Sequence, residues 1–202
     1  AALDVVRGGA SSIPEDVLLS LNVSPRTLES GELNATVFLA ILRRHGVAPN
    51  RVILELTERE AVREPEHLRD TLRGIQLAGV RVAADDVGAG NAGLRLLSQI
   101  HFDIVKLDLS LVQEGARRET SLAVIRSLAD LAARWGAMVV AEGVETPAQL
   151  HLLRSIGVPL AQGYLLGRPS AIPDARTLDL DEIESPRDRL ARVGLIPVAA
   201  GR

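Results

Sequence analysis

The stretch Val80-Arg81-Val82-Ala83-Ala84-Asp85-Asp86-Val87-Gly88 decides how the chain is read. Its run from Val80 to Ala84 is mostly apolar without alternation, as in a strand buried on both faces, and it ends on two consecutive carboxylates. Five more short runs rich in Val, Ile and Leu share this form: Val17 to Leu21, Val52 to Leu56, Ile104 to Leu107, Met138 to Ala141 and Val158 to Ala161. Helical spacing fills the intervals, with Leu68, Leu72 and Ile75 on one face and Leu122, Ile125, Leu128 and Leu131 on another. Gly46, Gly79, Gly136 and Gly157 stand where left-handed helix ends are wanted, and Pro147 suits a helix start.

Strand–helix alternation of this kind builds either an open doubly wound sheet or a closed (β/α)8 barrel. In both, ligands gather at the carboxyl ends of the strands, so the residue closing each apolar run is the informative one. Those residues are Asn22; Glu55 with Glu58; Asp85 and Asp86; Lys106 with Asp108; Glu142 with Glu145; and Gln162. A hydrophilic, carboxylate-rich ending on all six runs favours one shared site at the rim of a barrel. Any single strand-end acid has an alternative reading as a helix N-cap or loop salt bridge. Glu58 and Glu145, one turn further on, read as anchors of loops.

Composition narrows the chemistry. With 202 residues, 47% hydrophobic and 24% charged, the chain has ample material for one core or at most two. A net charge of −3 with interspersed signs argues against a DNA or RNA duplex as partner. The absence of cysteine removes disulfides, thiolate nucleophiles and Cys-based zinc sites. No apolar run approaches the roughly 18–20 residues of a membrane span, so no membrane contact and a cytoplasmic location are expected. Lys106 is the only lysine among 23 basic residues, a compact point charge suited to a water or an oxyanion.

Carboxylates crowded at neighbouring strand ends repel one another unless a cation intervenes. Oxygen donors from Asp, Glu and Asn, without His or Cys, select a hard ion such as Mg²⁺ or Mn²⁺. Asp85 and Asp86 side by side suit two ions about 3.5–4 Å apart, the arrangement that hydrolyses phosphoesters. The four histidines, His45, His67, His101 and His151, fall in helices or loops, and Trp135 and the other aromatics read as packing. A competing pattern, Gly88-Ala89-Gly90-Asn91-Ala92-Gly93 with Asp108 downstream, has the form of a dinucleotide fingerprint. The carboxylates immediately before those glycines oppose an approaching pyrophosphate.

Taken together, Leu21-Asn22-Val23-Ser24-Pro25-Arg26, Glu55-Leu56-Thr57-Glu58, Asp85-Asp86-Val87-Gly88-Ala89-Gly90, Lys106-Leu107-Asp108, Ala141-Glu142-Gly143-Val144-Glu145-Thr146 and Ala161-Gln162-Gly163-Tyr164 resemble, in order, the motifs of EAL-domain cyclic-di-GMP phosphodiesterases. The resemblance implies an α/β fold, a TIM-like (β/α)8 barrel whose first strand is antiparallel, with six of its eight strands expected in this chain. It implies Mg²⁺- or Mn²⁺-dependent cleavage of cyclic-di-GMP to linear pGpG. By the same resemblance Asn22, Glu55, Asp85 and Asp86 are metal ligands, Asp85 being shared between ions. Lys106, Glu142 and Gln162 hold the attacking water and its surroundings. Glu58 anchors the loop after Asp86, and Asp108 and Glu145 support the site. The family tendency is toward homodimers, with sensor or cyclase domains attached in a longer parent.

Two departures accompany the resemblance. The Glu-Ala-Leu motif does not occur in the sequence, and the chain starts at Ala1 without Met, so a piece of a longer protein is expected. The family loop Asp-Phe-Gly-Thr-Gly-Tyr-Ser-Ser-Leu is replaced by one carrying Val87, Ala89, Asn91, Ala92 and Gly93, which lacks the aromatic and hydroxyl groups that hold it. A catalytically silent module that binds cyclic-di-GMP or a protein partner is the alternative that these departures favour. The expected organisation is a loop or helix remnant over 1–16, the barrel portion over 17–170, and an appendage or linker over 171–202.

Overall fold

Each apolar run pairs with the run that follows it. In the computed structural model, which describes residues 17–57, 62–89 and 92–169, six strands form one sheet. They are β1 (Leu19–Val23), β2 (Val52–Thr57), β3 (Arg81–Val87), β4 (Ile104–Leu107), β5 (Met138–Ala141) and β6 (Leu160–Ala161), in the order β1-β2-β3-β4-β5-β6. Every neighbouring pair is parallel. A doubly wound sheet would reverse its order at a switch point, whereas uninterrupted sequential order is that of a barrel wall. The expected antiparallel first strand is not among the described elements, and the segments 1–16 and 171–202, with Glu58, lie outside the described residues.

The helices between the strands are α1 (Pro25–Glu29), α2 (Ala35–Arg44), α3 (Pro65–Leu77), α4 (Ala92–Gln99), α5 (Leu109–Gly115), α6 (Glu119–Trp135) and α7 (Pro147–Ser155). The spacing read in the sequence is the spacing buried: α3 packs Leu68, Leu72 and Ile75 inward, and α6 packs Ile125 and Leu128 with Ala129 and Ala132. Leu122 and Leu131 flank that face, half-buried. Helix α6 ends on Gly136 at φ 74°, a left-handed position where a side chain would be strained. Pro147 opens α7 behind a reciprocal capping box of Thr146 and Gln149.

The sheet's two faces have different jobs. Val52, Leu54 and Leu56, with Val82, Ala84, Val105, Leu107, Val139 and Ala141, face the helices and belong to the large core. The alternate positions form a small separate cluster of Ala83, Ile104 and Val140, with Ile53 and Leu160 against it. Because side chains alternate along a strand, the next inward positions toward the carboxyl ends are Glu55, Asp85, Lys106, Glu142 and Gln162. The apolar cluster is thus the floor on which the polar strand ends stand.

At that level the connections after β5 and β6 are tied together. The Val144 N–H donates to the Gln162 carbonyl (3.0 Å), and the Leu165 N–H donates to the Val144 carbonyl (3.1 Å). Gly163 fits between them so closely that a Cβ there would sit 2.2 Å from the Val144 oxygen. Backbone cannot yield as a side chain can, so Gly163→Ala should lower unfolding free energy by about 1–3 kcal/mol. Gly167→Ala, where a Cβ meets nothing within 4 Å, should stay within about 0.5 kcal/mol of the parent in the same denaturant titration.

Candidate active site

Lys106 organises the carboxyl end of the inner face. Its Nζ lies 2.8 Å from Asp85 Oδ1, 3.0 Å from Glu55 Oε2 and 2.8 Å from Glu142 Oε1, so carboxylates from β2, from β3 and from the residue after β5 converge on the one ammonium of β4. All four residues are withdrawn from solvent, Glu142 least so. Glu55 is held at its other oxygen by the hydroxyl of Ser20, one strand away on β1. The β1–β2 register sets Asn22 beside Glu55 on the same face. Ser20 had no motif to mark it in the sequence. Its inward position two residues before Asn22 was the available signal.

Asp86 reaches this cluster by a device that strand alternation alone forbids. Consecutive residues of a regular strand point to opposite faces. Between Ala84 and Val87, however, the β3–β4 register slips by one residue, and Asp86 has φ 57°, the left-handed conformation. This is a β-bulge that re-aims a side chain, with Asp among the few residues that tolerate the backbone. As a result one carboxylate oxygen each from Asp85, Asp86 and Glu142 lie within 4.8 Å of one another.

The electrostatics are lopsided. Lys106 is pulled down by burial, but Glu55, Glu142 and Asp85 together outweigh that and hold its pKa well above the usual value. Glu142 is pushed above its usual carboxylate value, chiefly by burial and further by Asp85 and Glu55, against the attraction of Lys106. The two directions agree: the ammonium sees three anions, whereas Glu142 sees one cation and two anions. Asp86 adds a further carboxylate, so the pocket keeps an excess of negative charge. Its all-oxygen donors fit a hard divalent cation of the Mg²⁺, Mn²⁺ or Ca²⁺ type.

The remaining strand-end residues divide. Gln162 follows β6 at the same rim, with its N–H donating to Ala141 (2.8 Å). Asp108 takes the capping alternative: its carboxylate accepts from the Ser110 N–H (2.8 Å) and the Ser110 hydroxyl and caps α5. Glu145 is exposed, its N–H donating to Gln149 in the α7 capping box, outside the Lys106 cluster. His67, His101 and His151 are exposed and His45 ends α2. Phe38 and Phe102 are buried and Trp135 packs on the core, but Tyr164 departs from the packing role expected of the aromatics: it is 55% exposed.

Residues 3–169 match the EAL domain family. The chain belongs to the EAL domain family. Among its relatives, the probable cyclic di-GMP phosphodiesterase PdeA of Escherichia coli K12 is 35% identical over 155 residues, 77% of this chain and 21% of PdeA. The cyclic di-GMP phosphodiesterase RocR of Pseudomonas aeruginosa is 34% identical over 169 residues, 84% of this chain and 42% of RocR. The EAL domain of Mycobacterium smegmatis DcpA superposes with a TM-score of 0.76 at 34% identity, covering 83% of this chain and 75% of that one. Klebsiella pneumoniae BlrP1, in complex with manganese and cyclic di-GMP, gives 0.70 at 31% identity, covering 81% and 41%. The chain spans about a fifth of the length of PdeA and under half that of RocR. The α/β, TIM-barrel-like wall of this EAL domain is therefore that of its solved relatives.

Replacing Lys106 by Met would leave the carboxylates of the EAL domain without their common cation. Lys106→Met should cost about 3–5 kcal/mol in denaturant unfolding with chelator present, and added Mg²⁺ or Mn²⁺ should return part of it. Because the folded pKa of Lys106 is raised, its contribution is complete below the usual 10.5 and is lost as pH climbs through the folded value. Glu142 is also raised, so its share is present below the usual 4.5 and lost as pH rises through its folded value. Glu142→Gln should remove that loss from a stability–pH profile measured in chelator.

Proposed function

We propose that this EAL domain hydrolyses cyclic-di-GMP to linear pGpG with Mg²⁺ or Mn²⁺ as cofactor. The observation that carries the reading is the convergence of Glu55, Asp85 and Glu142 on Lys106, with Asp86 turned into the same cluster by the bulge. A scaffold gains nothing from crowding carboxylates that repel one another, whereas a site for divalent cations requires it. The phosphodiesterase names of PdeA and RocR, and the nucleotide bound to BlrP1, support the substrate class.

In this reading Asn22, Glu55, Asp85 and Asp86 would hold the cations, with Asp85 shared between them. Such ions stabilise charge on a phosphodiester and favour ionisation of a water. Lys106 stays protonated and offers its N–H donors to the water or to a phosphate oxygen. Glu142, 2.8 Å from Lys106 and within the Asp85–Asp86 cluster, helps hold the attacking water and its surroundings. Gln162 closes the site at β6 and orients the water through its amide. Glu58 anchors the loop after Asp86, while Asp108 fixes the start of α5 beside Lys106. Homodimerisation, attachment to a sensor or cyclase domain, and a cytoplasmic location belong to the same proposal. No described helix is long and apolar enough to cross a membrane.

Incubation with cyclic-di-GMP and Mn²⁺ should release pGpG, and EDTA should stop the release. Asp85→Asn should abolish turnover while circular dichroism shows the fold retained. Unchanged rates in that variant would overturn the metal assignment. Tight nucleotide binding without any pGpG would favour the silent-module reading.

A further inference from the structure

We propose that Tyr164 and Arg168 form a stacking platform for a guanine base of the nucleotide at the rim of the site, a specificity element that rests on the phosphodiesterase reading. Tyr164 is the only tyrosine in the chain, and its side chain is 55% exposed although aromatic rings favour burial. The Arg168 guanidinium lies 4.4 Å from the ring centroid, a cation–π contact that covers one face and fixes the ring's orientation. More than half of the residue remains exposed beside that contact, enough surface for a planar purine to stack on the ring.

Position supports the assignment. Tyr164 comes two residues after Gln162, in the turn at the carboxyl end of β6. That turn is rigid: the Leu166 and Gly167 N–H groups both donate to the Gly163 carbonyl (3.0 and 3.1 Å), and Leu165 and Gln162 are bonded to Val144. β6 is two strand spacings, about 10 Å, from β4 and its Lys106. A base joined through ribose to the phosphate under attack spans a distance of that order. Among the exposed large apolar side chains described, only Leu109 and Tyr164 closely follow the carboxyl end of a strand, and Leu109 lies over Gly143 beside Glu142. Both sides of the cluster therefore present an apolar surface where a nucleobase would lie.

The single tyrosine gives a direct readout. With ring-labelled tyrosine in the full chain, titration with cyclic-di-GMP in Ca²⁺ should move the ring-proton resonances upfield, as stacking requires. In Mn²⁺, Tyr164→Ala should raise KM for cyclic-di-GMP roughly five- to a hundredfold with kcat little changed, and Tyr164→Phe should restore it. Binding of cyclic-di-GMP with unmoved tyrosine resonances, or an unaltered KM in Tyr164→Ala, would overturn the platform alone. Failure of the parent chain to bind the nucleotide would overturn the substrate reading and the platform with it.

Discussion

Three carboxylates share one ammonium at the carboxyl end of the sheet, and the rest of the site is arranged around that fact. Glu55, Asp85 and Glu142 come from separate strand ends and would separate if charge alone decided their positions. Lys106 draws them together, while the parallel register of β2 through β5 puts all of them on one face at one height. Burial raises the stakes, because a buried charge without a partner costs several kcal/mol. The apolar floor of Ala83, Ile104 and Val140 excludes water from below and keeps the interaction strong.

The second constraint is the bulge in β3. A regular strand would have delivered Asp85 inward and Asp86 toward the helices, into a core of Leu and Val. One extra residue and a left-handed Asp86 bring both acids to the same pocket. The cost is borne by a local conformation that few residues accept, and such strain is concentrated at functional positions. The bulge thus turns a sheet that could carry one acid at this strand end into one that carries two.

Much of this was legible in the residues. The runs at Val52, Ile104 and Met138 begin where their strands begin, and the helix-ending glycines at 46, 79, 136 and 157 all have positive φ. β3 runs on to Val87 rather than ending at Ala84, because its pairing with β4 continues under carboxylates that hid it from a hydrophobic reading. β1 is shifted to Leu19–Val23, and β6 is only Leu160–Ala161. The strand-end residues announced a common site, but not which of them would meet. Asp108, sitting before a helix, was drawn to capping, and Glu145 stayed in solvent next to its own capping box. Ser20 and the bulge depend on register between strands distant in sequence, which no local pattern encodes.

The solitary lysine carries one more implication. Every other basic side chain except the histidines is a guanidinium, which keeps its proton across the accessible range and is not a nucleophile. The only side-chain amine is walled in by carboxylates that hold it charged, and a protonated amine does not attack acyl donors. Acetylation of lysine, a common way of adjusting surface charge, therefore has no exposed lysine to act on in this chain, whose outer positive charge is carried by arginine and histidine.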